Sequence, residues 1–234
     1  MANICSNMMC IYAPDGNTQK LRDFYNKLHK LYEEDDDLNV IGIAIQLRPD
    51  LDKNKIFKMA NDNYWASVGW IDDIEYREPN INIDTAHIFI NYQSKWCPCI
   101  ELWNLAIEPS GLKQVTIAEE PGCHVYINTD TECKFFNDKY CIDVSGYFTV
   151  NGEKKFLEYH EYYYDSENLE EHIIADINEV LGEDLGVKFN TIDEIKTFMD
   201  KADDEVEDGW AIFEKFIPDY TSENKDDLDD EEED

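Results

Sequence analysis

The stretch "KYCIDVSGYFTVNGEKKFLEYHEYYYD" (139–165) leaves little freedom in how it pairs. Asn-Gly between two apolar-alternating runs is the strongest short-range signal for a two-residue hairpin, because both turn positions need positive φ. With Asn151–Gly152 as the turn, Val150 faces Glu153 and Phe148 faces Lys155. Side chains alternate along a strand, so Ile142, Val144, Phe148 and Val150 share a face with Leu157 and Tyr159. The same register sets Asp143 opposite His160, a pair able to serve as base and orienter. No nucleophile elbow, phosphate loop or metal motif accompanies it, and a cross-strand surface pair is the better reading.

The rest of the chain reads as alternating strands and helices. "NICSNMMCIYAP" predicts a first strand closed by Pro14–Asp15–Gly16. Leu21, Phe24, Tyr25, Leu28, Leu31 and Tyr32 follow at helical spacing, with Asn17 or Thr18 as the cap. "NVIGIAIQL" reads as a strand or a short buried segment, and "KIFKMANDNYWASVGWIDDI" is ambiguous. "TAHIFINYQS" alternates as a strand. A helix from near Pro98 carries Ile100, Leu102, Trp103, Leu105 and Ala106 and stops at Pro109 and Gly111. "LKQVTIAEE" and "CHVYINTD" are strands joined by a type II turn at Pro121–Gly122, with Gly122 expected at positive φ.

Beyond Asp165 the period becomes helical. Leu169, Ile173, Ile174, Ile177, Val180 and Leu181 form one stripe ended by Gly182. Thr191 and Glu194 form a capping-box pattern ahead of Ile195, Phe198 and Met199. A last amphipathic stretch, read as helix, runs through Val206, Trp210, Phe213 and Phe216 to Pro218. The expectation is an α+β chain: a ferredoxin-like antiparallel sheet with packed helices and a long hairpin (1–165), an acidic helical module (166–217) and a disordered acidic tail (218–234).

Three short motifs carry a family likeness: the opening "MANICSN", the strand–helix junction "SKWCPCIELW" and the strand–turn "TIAEEPGCHVY". In these the chain resembles the YubB ferredoxin-like proteins over roughly residues 1–165. Ile4 stands where that family usually has tryptophan, and "VGWIDDIEYREPNI" occupies the place of its tryptophan-rich stretch. The resemblance implies a ferredoxin-like fold and an origin on a plasmid or phage.

Charge is distributed along the whole chain. The formal net charge is −33, of which residues 1–165 contribute −12, residues 166–217 another −12, and the tail from Pro218 only −9. The acidity therefore belongs chiefly to the folded part. The N-terminus lacks the basic and apolar regions of a signal peptide, and no window has the ~18 apolar residues of a membrane helix. The chain reads as a soluble cytoplasmic protein of a bacterial host cell. Seven cysteines without an export signal read as free thiols.

Candidate chemistry is sparse. Cys97–Pro98–Cys99 with Cys123–His124 and Cys133 supplies zinc-binding atoms, yet a single CxC falls short of the paired spacing of structural zinc sites. Asp35–Asp36–Asp37 and Asp203–Asp204–Glu205 lack the calcium-loop spacing and its glycine. No metal, cofactor or catalytic residue is expected. The tyrosines 159 and 162–164 are flanked by Glu158, Glu161 and Asp165 rather than Lys and Arg, which argues against base stacking.

A field of this sign repels nucleic acid and membrane headgroups and attracts basic proteins. Glu167, Glu170, Glu171 and Glu179 are expected in a row on one helix, and Asp203, Asp204, Glu207 and Asp208 on the next, with Glu119 and Glu120 as auxiliaries. Duplex DNA carries one charge per ~1.7 Å of axis, so 12 net charges correspond to about six base pairs, roughly 20 Å. The expected function is a phage- or plasmid-encoded inhibitor, not an enzyme, that mimics nucleic acid toward a basic host defence protein such as a CRISPR effector or restriction complex. The alternative is a protein-interaction module that binds through apolar helix faces, Trp103, Trp210 or the tyrosines.

Overall fold

The computed structural model describes residues 4–35, 38–62, 69–95, 98–150 and 153–218, which fall into two compact units. The second unit is Asn137–Phe216; the first comprises the other described residues.

In the first unit, β1 (Ile4–Tyr12), β2 (Gly69–Arg77), β3 (His87–Lys95), β4 (Lys113–Glu120) and β5 (Val125–Asn128) form an antiparallel sheet in the order β2-β3-β1-β4-β5. Helices α1 (Thr18–Glu34), α2 (Val40–Leu47) and α3 (Lys53–Asp62) lie between β1 and β2 in sequence, and α4 (Ile100–Ile107) between β3 and β4. Asn17 caps α1 by accepting from the Lys20 amide. Val40–Leu47 is a helix, because Asn39 accepts from the Gly42 amide and supplies an N-cap. Its core is apolar nearly all round, so periodicity alone does not discriminate helix from strand.

Register decides the first core. Met9 pairs with Ile90 and Ile11 with Ile88. All four are fully buried with Leu21, Leu28, Ile43, Tyr92 and Trp103. Buried Arg48, just past α2, donates to the Leu105 carbonyl and to Glu108, joining the ends of α2 and α4. Gly111 closes α4 through a 3-10 turn at φ 63°, the left-handed position that favours glycine. At Pro121–Gly122 the expected type II turn is replaced by a 3-10 turn in which His124, not Gly122, takes positive φ. The Glu120 carboxylate accepts from the Gly122 amide and holds it there.

The second unit is built on the hairpin. β6 (Asp138–Val150) and β7 (Glu153–Tyr164) pair in the expected register: Val150 with Glu153, Phe148 with Lys155, Asp143 with His160. The turn residues 151–152 lie outside the described residues. Helix α5 (Leu169–Ile177) continues through a π-helical turn (Asn178–Gly182) and a single turn α6 (Glu183–Leu185), then α7 (Ile192–Glu205) follows. Ile173, Ile177, Leu181, Ile195 and Met199 are buried against Ile142, Val144, Phe148 and Leu157 of the hairpin. The helical run ends at Gly186 (φ 68°) rather than Gly182. Gly182 stays right-handed and packs against the Val187 carbonyl, where a Cβ would be tight.

Two expectations change here. The last amphipathic stretch is a strand, β8 (Glu207–Lys215), paired with β6 to give the order β7-β6-β8. Gly209 disfavours helix, and β6 offers an unpaired edge whose amides and carbonyls need partners. The module after 165 is therefore not purely helical. Its apolar helix faces cover the hairpin, so the boundary expected after residue 165 moves to between Phe136 and Asn137. Of the tail 218–234, only Pro218 lies among the described residues. No helix among the described residues is long and apolar enough to cross a membrane.

β8 meets β6 at an irregularity between Ser145 and Tyr147, where Gly209 lies directly on the Ser145 carbonyl and Gly146. A Cβ there would overlap the backbone of β6. Gly209→Ala is expected to destabilise the protein by about 3 kcal/mol or more, read by chemical denaturation. Unchanged stability would disprove this account of the β6–β8 join.

Candidate functional site: the acidic helices and the tyrosine–aspartate cluster

The second unit holds 22 Asp and Glu against seven Lys. Burial of the hairpin face sets the helices with their apolar stripes inward, and the carboxylates lie on the opposite side. Glu170 and Glu171 occupy the first turn of α5, where the positive end of the helix dipole favours them. Glu167 lies in the turn before α5 and Glu179 in the π-helical turn. Glu167, Glu170, Glu171 and Glu179 are all exposed.

On α7 the arrangement runs against the dipole. Its last turn carries Asp203, Asp204 and Glu205 and no basic residue, although the C-terminal end of a helix favours cations. A local rule broken without apparent gain marks a functional position in many folds. Asp203 has a structural reason to be there: its Oδ1 accepts from the Ala211 amide of β8 at 2.7 Å and ties the strand to the helix. Asp204 is exposed and has none.

The structure redistributes the other candidates. Glu207 and Asp208 stand on β8 rather than on a helix; Asp208 is exposed, at φ 52°. The Glu207 side chain lies outside the described residues. Glu120, in the first unit, is buried with one oxygen turned to the Gly122 amide, so it is not a displayed carboxylate. Glu119 is half-buried on β4. Glu167, Glu170, Glu171, Glu179, Asp204 and Asp208 remain, each exposed and without a hydrogen bond or ion pair among the described residues.

The aromatic candidates also divide. Trp103 is fully buried in the first unit, edge-to-face on Tyr92, and is not a surface residue. Trp210 is 45% exposed. Tyr147 and Phe156, a cross-strand pair with ring centroids 5.3 Å apart, are similarly open on the hairpin. His160 Nδ1 lies 3.6 Å from Asp143 Oδ2 on the same strands, as the register required.

One cluster escaped the sequence reading. Tyr159 and Tyr163, i and i+4 on β7, both donate to Asp176 Oδ2 of α5, at 2.6 and 2.7 Å, with their own oxygens 3.3 Å apart. Burial and the Asp176 hydrogen bond push the Tyr159 hydroxyl up to about 12, and burial raises that of Tyr163 further. Both therefore remain donors at any physiological pH. The available signal was Asp176 itself, a carboxylate set between Ile173 and Ile177 of the apolar stripe.

Cysteine chemistry is muted. Burial lifts the Cys10 and Cys99 thiols to about 12, leaving little thiolate at neutral pH. Cys97 and the Cys123 side chain lie outside the described residues, among which no group of three or more His, Cys, Asp or Glu is assembled to hold a metal ion.

Two measurements check these assignments. Asp203→Ala should lower stability by about 1–2 kcal/mol through the orphaned Ala211 amide, whereas Asp204→Ala should lie within about 0.5 kcal/mol of wild type. For the tyrosines, a folded-state value raised above the ordinary 10 means stability is fully present below pH 10 and lost as pH rises toward about 12. Tyr159→Phe should flatten that alkaline loss in pH-dependent denaturation, and an unchanged profile would contradict the cluster. Comparison of the chain with known protein families, curated proteins and solved structures finds no match.

Proposed function

We propose that this protein inhibits a basic nucleic-acid-binding host defence enzyme, a CRISPR effector or restriction complex, by occupying its nucleic-acid groove as an acidic mimic. The observation that carries this is the set of exposed carboxylates Glu167, Glu170, Glu171, Glu179, Asp204 and Asp208, unpaired and borne on ordered backbone of one unit. Like charges on a compact unit cost stability through self-repulsion, so solubility alone is a weak reason to fix so many there. The partner is a protein; nucleic acid and anionic membrane would be repelled.

The first unit serves in this reading as a ferredoxin-like sandwich, of the kind in the YubB proteins it resembles. Supporting it are the antiparallel order β2-β3-β1-β4, with helices between β1 and β2 and between β3 and β4; β5 extends the edge.

A second reading draws on Tyr147, Phe156 and Trp210, exposed aromatics of the kind enriched at interfaces, as a protein-assembly surface. Salt separates the two. If six or more carboxylates engage cationic side chains, affinity for the target enzyme should fall by about 10³ between 50 and 200 mM salt, as for a comparable number of phosphate contacts. Glu167, Glu170, Glu171 and Asp204 changed together to Lys should abolish inhibition while the far-UV CD spectrum and melting transition persist. A folded variant that still inhibits fully refutes the mimic, and a salt-insensitive complex lost with Trp210→Ala favours the aromatic surface.

A further inference from the structure

A cleft of about 580 Å³ opens beside the tyrosine–aspartate cluster, between the end of β7 and α5. Its walls include the tyrosines 159 and 162–164, Glu161, Asp176, Ser166 and His172, and no Lys or Arg among the described residues. The volume lies within the range of sites for small groups. We propose that this cleft binds the guanidinium of an arginine side chain presented by a partner protein.

The hydrogen bonding selects the charge of the occupant. Both cluster hydroxyls are already spent on Asp176 Oδ2. Asp176 Oδ1 accepts no hydrogen bond among the described residues. An anion entering would meet the carboxylates of Asp176 and Glu161, with the Tyr159 and Tyr163 donors committed and only the side chains of His172 and Ser166 to set against them. A neutral apolar group would cover Oδ1 without supplying a donor, at the cost of its desolvation. A cation answers both needs: it donates to Oδ1 and lies against tyrosine rings whose faces are electronegative.

Among cations, shape favours arginine. A guanidinium is planar and weakly hydrated, so it can stack on a ring and direct its N–H groups edge-on to a carboxylate; an ammonium is a compact, strongly hydrated point charge. Tyr163 is buried and Tyr159 half-buried, each fixed through its hydroxyl, so the wall is ordered before anything binds. Tyr164 and Glu161, both exposed, stand at the mouth. The proposal rests on the cleft alone and succeeds or fails independently of nucleic-acid mimicry.

The test titrates the full chain with the capped peptide Gly-Arg-Gly and its citrulline and lysine analogues, followed by NMR of the tyrosine rings. The arginine peptide should bind saturably and shift the rings of the cleft. Citrulline, the neutral near-isostere, should bind at least tenfold more weakly, and lysine severalfold more weakly. Asp176→Asn should weaken arginine binding at least tenfold. Because that change touches a buried cluster, Glu161→Gln and Tyr164→Leu provide surface variants, each expected to weaken binding three- to tenfold. Glu153→Gln removes the same charge from the exposed other end of β7 and should leave binding unchanged. Absence of saturable binding, equal binding of arginine and citrulline or of arginine and lysine, or equal losses from Glu153→Gln and Glu161→Gln would each overturn the proposal.

Discussion

Backbone pairing of β8 with β6 is the contact on which the acidic unit depends. It brings a distant part of the chain onto the free edge of a hairpin, and it does so over the bare backbone of Gly209. Once β8 is in place, α7 is anchored from its far end through Asp203, and the orientation of its last turn follows. The exposed carboxylates thus stand on a frame fixed by hydrogen bonds and by the apolar side chains that α5 and α7 bury on the hairpin, not by charge.

That division resolves an apparent conflict. An acidic excess of this size favours an expanded chain, yet the unit is folded. Ile142, Val144, Ile173, Ile177, Ile195 and Met199 are buried almost completely, and non-directional hydrophobic burial holds the sheet and helices together against the repulsion outside. Three acids of this unit that enter the structure each have a donor. Asp176 takes two tyrosine hydroxyls, Asp203 a backbone amide, and Glu214 the ammonium of Lys196. The acids without partners are those at the surface.

The tyrosines change meaning once their partners are known. As a run in sequence they resemble a stacking platform with the wrong charges around it. In the fold, alternation along β7 sends Tyr159 and Tyr163 to Asp176, while Tyr162 packs against His160. An anionic, ring-lined cleft results, and its chemistry suits a cation rather than a base.

Much of this was open to reading from residues alone. The hairpin register came from Asn151–Gly152, because turn type and strict alternation leave one pairing; the cap at Thr191, and that at Asn17 as one of two adjacent choices with Thr18, came from side chains that can satisfy only nearby amides. Those determinants are local. What needed the tertiary structure was every choice in which a distant partner decides. The run 40–47 is helix, and 207–215 is strand, because a cap in one case and an open sheet edge in the other tip short apolar segments that periodicity leaves undecided. Likewise the composition determined that the surface would be acidic. Only the fold decided which carboxylates are displayed and which, like Glu120 and Asp203, are used inside, since an acid's role depends on whether an amide lies within hydrogen-bond reach.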